Sequence, residues 1–153
     1  MKVVMTNDPG SLELKEAVKS FLQEKGYDVI DLWHPGMNYV EAGKKAAETI
    51  CAGDAERGVI FCGSGAGVMM AANKHKGIRA VVCESMQTAE GARIINNANV
   101  LCMGANVVNE TLASDMADIF LNTEFTQWLD EDAAKRVKSM EAEVREIETA
   151  NMK

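Results

Sequence analysis

The chain has 153 residues, 47% apolar and 25% charged, with four cysteines and a formal net charge of -7. That is enough chain for one self-supporting core, so a small disulfide-stapled scaffold and a disordered chain are both excluded. No basic patch offsets the acidic balance, which argues against nucleic acid as a partner but not against a small anion, since a local site can be positive on an acidic surface.

In chain order, Val3–Thr6 (VVMT) is a short β-rich run. After Thr6-Asn7-Asp8-Pro9-Gly10, a helix is expected over Ser11–Lys25, with Leu14, Val18, Phe21 and Leu22 at helical spacing and Gly26 as its stop. Asp8 ends a strand and precedes a helix. Two readings stand: Asp8 or Ser11 caps that helix, or Asp8 sets a carboxylate at the mouth of a site. Asp28–Leu32 (DVIDL) is the second strand, followed by the loop Trp33-His34-Pro35-Gly36 and a helix over Val40–Ala52. Gly58–Cys62 (GVIFC) precedes a helix over Ala66–Lys76, Arg79–Cys83 (RAVVC) one over Met86–Ile95, and Asn99–Met103 (NVLCM) one over Glu110–Leu121. Each run is apolar nearly throughout rather than alternating, as in parallel strands covered on both faces. The order predicts an α/β fold, a three-layer sandwich with a five-stranded parallel sheet. Strand order is not legible at this level. The tail, Glu131–Lys153, is highly charged, with Val137, Met140, Val144 and Ile147 on one helical stripe. It reads as a C-terminal helical extension, residues 126–153, beside a domain of residues 1–125. The preferred reading sets the stripe against a partner subunit, because the core is complete without it. Its own sheet, or solvent around a frayed end, are the alternatives.

No run approaches the roughly 20 apolar residues of a membrane span. The opening MKVVMTND holds no long apolar stretch of a leader, so reduced thiols and a cytoplasmic setting are expected. Cys51, Cys62, Cys83 and Cys102 form no C-x-x-C pair, which speaks against a structural zinc. Cys51, Cys83 and Cys102 are assigned to packing, as are Met69 and Met70. Trp33, Tyr39 and Trp128 read as packing or as pocket walls.

Ligands of parallel α/β sheets bind beyond the carboxyl ends of the strands. There the segment Cys62-Gly63-Ser64-Gly65-Ala66-Gly67-Val68 stands out. Three glycines in five residues leave backbone N–H groups uncovered at a helix start, which makes an anion pocket. The spacing G-x-G-x-G is not the dinucleotide fingerprint, and the G-K-[ST] of a P-loop is missing. A cysteine at a helix start is the setting in which thiols become reactive. A buried strand-end cysteine is the other reading of Cys62.

The run CGSGAGVMMAANKHKGIRAVVC, with NNANV at Asn96–Val100 and Met103-Gly104-Ala105 beyond it, resembles the family of ribose-5-phosphate isomerase B and galactose-6-phosphate isomerase. The resemblance runs from Met1 to about Phe125. It implies a Rossmann-like α/β/α sandwich, assembled as a homodimer or homotetramer with active sites at the subunit interface. It also implies an aldose–ketose isomerase without metal or cofactor, moving a proton through a cis-enediolate. Cys62 is then the base, Ser64 assists proton movement, and the amides of Gly63, Gly65, Ala66, Gly67 and Val68 hold the enediolate oxygens. Asp8, Tyr39 and Asn96 match substrate-binding positions. The departures are informative. Pro9 follows Asp8 where the family has His, and Ile95 stands where the family has its ring-opening His. Asn106 stands where a phosphate-binding Arg is common. The family's G-R-H-x-x-R-V tail is replaced by a stretch in which Arg136 matches the last Arg.

A four-carbon sugar phosphate has no free hydroxyl with which to close a furanose, so a ring-opening His would be needless; otherwise His34 or His75 would take that part. His34, whose plain reading is a solvated loop histidine, is also a candidate for the phosphate, with Lys135 and Arg136. The expectation is an isomerase of a small anionic sugar phosphate, tetrose or pentose. The alternatives are a hexose-phosphate isomerase subunit needing a partner and a non-catalytic sugar-binding homologue.

Overall fold

The computed structural model describes residues 1–152. Five parallel strands alternate with helices: β1 (Lys2–Asn7), α1 (Leu12–Glu24), β2 (Asp28–Asp31), α2 (Tyr39–Cys51), β3 (Arg57–Cys62), α3 (Ala66–Ala72), β4 (Ala80–Val82), α4 (Met86–Ile94), β5 (Val100–Gly104), α5 (Glu110–Asn122) and α6 (Glu131–Asn151). The sheet order is β2-β1-β3-β5-β4, so the chain reverses direction across the sheet between β1 and β3. A crevice opens beyond the carboxyl ends of two strands at such a switch point.

Both faces of the sheet are buried, which explains the unbroken apolar runs. Val3, Met5, Val59, Phe61, Leu101 and Met103 pack under α1, α4 and α5. Val4, Ile60, Cys62, Val100 and Cys102 face α2 and α3. Asn38, Ser85, Asn109 and Asp130 cap α2, α4, α5 and α6 through side-chain oxygens that accept backbone N–H groups. Two guanidiniums close the other end of α5: Arg57 Nη1 donates to the carbonyls of Phe120, Leu121 and Thr123, and Arg93 Nε to that of Thr123. Cations at a helix C-terminus satisfy its orphan carbonyls. Burial, with Arg57 nearby, lowers the Arg93 guanidinium to about 10.

Several local expectations are corrected. Helix α3 stops at Ala72 rather than Lys76, because the Asn73 side chain pairs with both the N–H and the C=O of Ala80, each at 2.8 Å. His75 therefore lies in the following turn. Cys83 and Cys102 are buried, and burial pushes both thiols up; Cys51 is exposed. Met70 is 60% exposed and is not core. In α6, Val137 is covered, whereas Met140, Val144 and Ile147 are 53%, 56% and 64% exposed. The helix is tied down by polar contacts instead: Glu148 Oε1 accepts the Gly77 N–H at 2.8 Å, and Glu141 accepts from Asn97 and pairs with Arg79 at 4.0 Å.

Lys15 is the largest fully buried side chain, with its ammonium on Asp31 at 2.6 Å and on Glu16. Lys19 adds a second contact to Asp31 at 2.7 Å, and the other carboxylate oxygen accepts the Trp33 N–H. Burial acts to raise the Asp31 carboxyl, but the two lysines outweigh it and hold it below the ordinary range. Loss of Asp31 leaves the fully buried Lys15 ammonium with Glu16 alone, whereas an apolar residue at Lys15 removes that buried charge and leaves the partly exposed Asp31 on Lys19. Asp31→Ala should therefore cost about 3 kcal/mol in urea unfolding near neutral pH, and Lys15→Met less than about 1 kcal/mol. Because the folded carboxyl is depressed, the Asp31 contribution is full above its unfolded value near about 4 and fades as pH falls below it.

Candidate active site

The loops after β1 and β3 meet at the switch point. The Asp8 N–H donates to the Phe61 carbonyl at 3.2 Å, locking the end of β1 to β3. The Asp8 carboxylate accepts the Ser11 hydroxyl at 2.6 Å, and neither side chain caps α1, so the capping reading of this pair is not what the structure shows. Asp8 is half-buried beside the crevice. One residue earlier, Asn7 is fully buried, and its Oδ1 is the one buried side-chain polar atom without a partner among the described residues.

Cys62 ends β3 and is 5% exposed. Its Sγ accepts the Gly65 N–H at 3.2 Å, and the exposed Ser64 Oγ accepts the Ala66 N–H at 3.2 Å. The N–H groups of Gly63, Ser64, Gly67 and Val68 donate to no acceptor among the described residues. Of the amides expected to hold an anion, two thus orient Cys62 and Ser64, and the rest are free. With α3 only seven residues long, the local N–H groups of the loop matter more than a long helix dipole.

The glycines are required by close approach. Gly65 sits at φ 81°, where a Cβ would meet Val82 Cγ2 at 2.7 Å. A Cβ on Gly67 would meet the Tyr39 ring at 2.7 Å, which puts that half-exposed ring on the loop as a wall. A Cβ on Gly104 would lie 2.7–2.8 Å from the Ser64 backbone. The loop after β5 is laced on from the other side: Ala105 N–H donates to the Cys62 carbonyl at 2.9 Å and Asn106 N–H to the Gly63 carbonyl at 3.0 Å.

Asp8, Tyr39, Cys62, Gly63, Ser64, Gly65, Ala66, Gly67 and Val68 thus gather at one pole. The remaining expected residues do not join them within the chain. His34 is exposed, with Nε2 on Glu41 at 2.9 Å and Nδ1 on the Pro35 carbonyl at 3.0 Å, so neither ring nitrogen is free. These contacts raise its pKa, the Pro35 carbonyl first and Glu41 second. Asn96 follows α4 and precedes β5, which puts it at the amino end of the sheet. Gly58 pairs with Val100 and Cys62 with Gly104, a separation of four residues, or about 13 Å of strand. Arg136 is exposed on α6 beside Ile95 and Leu129 at that same far pole. A groove of about 530 Å³ also lies there, lined by Ile78, Arg79, Val81, Ile95, Met140 and Val144, and Cys62 takes no part in it. Asn106 is the neighbour that its place in the sequence did not assign to the site; the signal was its substitution for a basic residue.

Residues 3–140 match the family model described as Ribose/Galactose Isomerase. The chain is 38% identical over 152 residues to 4-deoxy-4-sulfo-D-erythrose isomerase of Clostridium sp., covering 97% of this chain and 96% of that one. It is 34% identical over 129 residues to D-erythrulose-4-phosphate isomerase of Pectobacterium atrosepticum, covering 82% and 85%. The structure of ribose-5-phosphate isomerase B from Clostridium thermocellum superposes with a TM-score of 0.89 at 37% identity, over 98% and 99% of the two chains. The chain belongs to the ribose/galactose isomerase family. It is an aldose–ketose isomerase with the fold of that family.

Gly104 is the contact on which the loop rests. Gly104→Ala should cost about 2 kcal/mol of stability by overpacking and lower turnover with it. Thermal unfolding and initial rates measured on the same preparation check both.

Proposed function

We propose that the substrate is an open-chain four-carbon sugar carrying an anionic group at C4, phosphate or sulfonate, and that Cys62 moves the proton. The observation that carries this is Cys62 Sγ held by Gly65 N–H beside four free amides at the switch point. Cys62 takes the C2 proton of the aldose, the electron pair moves onto the carbonyl oxygen, and the cis-enediolate forms. The proton returns to C1 and gives the ketose. A carbon-bound proton is weakly acidic, so amides aimed at the developing oxyanion carry much of the rate. Ser64 relays the proton between the two oxygens, and Asp8 accepts a sugar hydroxyl.

The four-carbon assignment rests on Ile95. With C4 occupied by phosphate or by carbon-bound sulfonate, no hydroxyl remains to close a furanose. No ring-opening group is needed, and the engaged ring of His34 is consistent with that. Two relatives carry names of four-carbon substrates, one a sulfonate and one a phosphate.

The site is completed by a second copy of the chain. Asp8 and Cys62 sit at one pole while Asn96 and Arg136 sit at the other, with the exposed Met140, Val144 and Ile147 beside them on α6. A two-fold pairing that buries this face brings the Asn96–Arg136 pole of one copy to the Cys62 pole of the other. The residue 126–153 extension is then an interface element rather than a separate unit.

In heavy water, the protein should incorporate deuterium beside the carbonyl of a tetrulose 4-phosphate or of its 4-deoxy-4-sulfo counterpart, and Cys62→Ala should abolish it. Full activity in that variant would remove Cys62 as the base. Mixing inactive Cys62→Ala with inactive Arg136→Ala, under conditions that allow subunit exchange, should restore activity that neither has alone. Mixtures that stay inactive despite exchange would show that Arg136 serves its own chain.

A further inference from the structure

We propose that Asn106 sets the charge preference of this isomerase, favouring a singly charged terminal group, a sulfonate, over a phosphate dianion. The inference rests on the isomerase reading above and concerns the far end of the same substrate. Asn106 is exposed on the loop after β5, and its backbone N–H is fixed to the Gly63 carbonyl at 3.0 Å. Its side-chain Nδ2 lies 3.1 Å from where a Cβ on Gly63 would stand, so the amide lies directly on the Cys62 loop. That side chain has no hydrogen-bond partner among the described residues, which leaves its two donors and its acceptor open beside Gly63.

The electrostatics around it point one way. Four loops close over the carboxyl ends of β1, β3, β4 and β5: Asn7–Ser11, Cys62–Val68, Cys83–Met86 and Gly104–Glu110. None contains a Lys, Arg or His, and they carry Asp8, Glu84 and Glu110. His34, after β2, is two strands away from β3 and already paired with Glu41. A phosphate monoester carries about 1.5 to 2 negative charges near neutral pH, and a sulfonate carries one. An amide can donate to either but neutralises nothing, and repulsion from the carboxylates grows with the charge of the ligand. Within one copy, the carboxylates of Asp8, Glu84 and Glu110 stand unopposed at this pole, so a dianion is disfavoured more than a monoanion whatever cation a second copy adds. An Arg at this position would supply a further positive charge.

The test compares kcat/KM for a tetrose 4-phosphate and its 4-deoxy-4-sulfo counterpart, using wild type, Asn106→Arg and Asn106→Asp. Taking the ratio for the two substrates cancels whatever the enzyme contributes equally to both reactions. Wild type should prefer the sulfonate by about tenfold or more near pH 7.5. Its phosphate-to-sulfonate ratio should fall about tenfold between about pH 5.5 and about pH 7.5, as the phosphate loses its second proton near about pH 6. Asn106→Arg should raise that ratio about tenfold and flatten its pH dependence. Asn106→Asp, which keeps the size of the side chain and tests the idea should the Arg variant not fold, should lower the ratio further. A wild type that prefers phosphate near neutral pH, or variants whose ratios stay within about twofold of wild type, would overturn the role of Asn106 while leaving the isomerase standing. A wild type that turns over neither substrate would remove both.

Discussion

The chemistry of this chain depends on one close approach of main chain to main chain. The Ser64 backbone lies on Gly104, with no space for a methyl group between them, and Gly65 passes Val82 and Met103 as tightly. That contact turns the chain after β3 so that Gly65 N–H meets the Cys62 sulfur while the amides of Gly63, Ser64, Gly67 and Val68 stay unpaired. Because the strands beneath are buried on both faces, the loop rests on a close-packed floor and its amides need no rearrangement to receive an anion. Larger residues at Gly65 or Gly104 would move the donors, not merely fill space.

The second organising fact is polarity along the strands. The carboxyl ends gather a thiol, a hydroxyl, a carboxylate and free amides, while the exposed Arg136 of α6 and the apolar groove lie about a strand length away. The amino end is held by its own framework. Arg57 and Arg93 converge on the Thr123 carbonyl, and Glu124 pairs with both guanidiniums, its two oxygens accepting from Arg57 Nη2 at 2.9 and 3.0 Å and one of them lying 3.8 Å from Arg93 Nη2. This clasp sets where the chain leaves α5 for α6. The connecting turn holds Thr126 and Trp128 at φ 63°, a backbone that side chains with a Cβ rarely adopt. Trp128, 72% exposed, does not pack in the single chain as its bulk suggested it would.

Much of this was legible in the residues. Continuous apolar runs separated by helical periods define a covered parallel sheet, and a glycine-rich turn after a strand announces exposed amides. What was not legible depended on pairing between distant segments. The order β2-β1-β3-β5-β4 is set by tertiary packing, so the meeting of Asp8 with the β3 loop, and of Asn106 with Gly63, is invisible in the linear chain. Asn73 ended α3 early because its side chain found the edge of β4, a competition that helical propensity does not register. Ser11 and Asp8 both look like caps, and they bond to each other instead. Asn96 matched a site position by sequence, but the same match could not say from which copy it would act.

The loops around the crevice hold carboxylates and no Lys, Arg or His, on a chain with a net charge of -7. An incoming anion therefore diffuses uphill until it is close enough to feel individual donors. Mobile ions shorten the reach of that repulsion, to about 10 Å at 0.1 M ionic strength. Encounter should thus quicken with added salt, the reverse of an enzyme that steers its substrate by attraction.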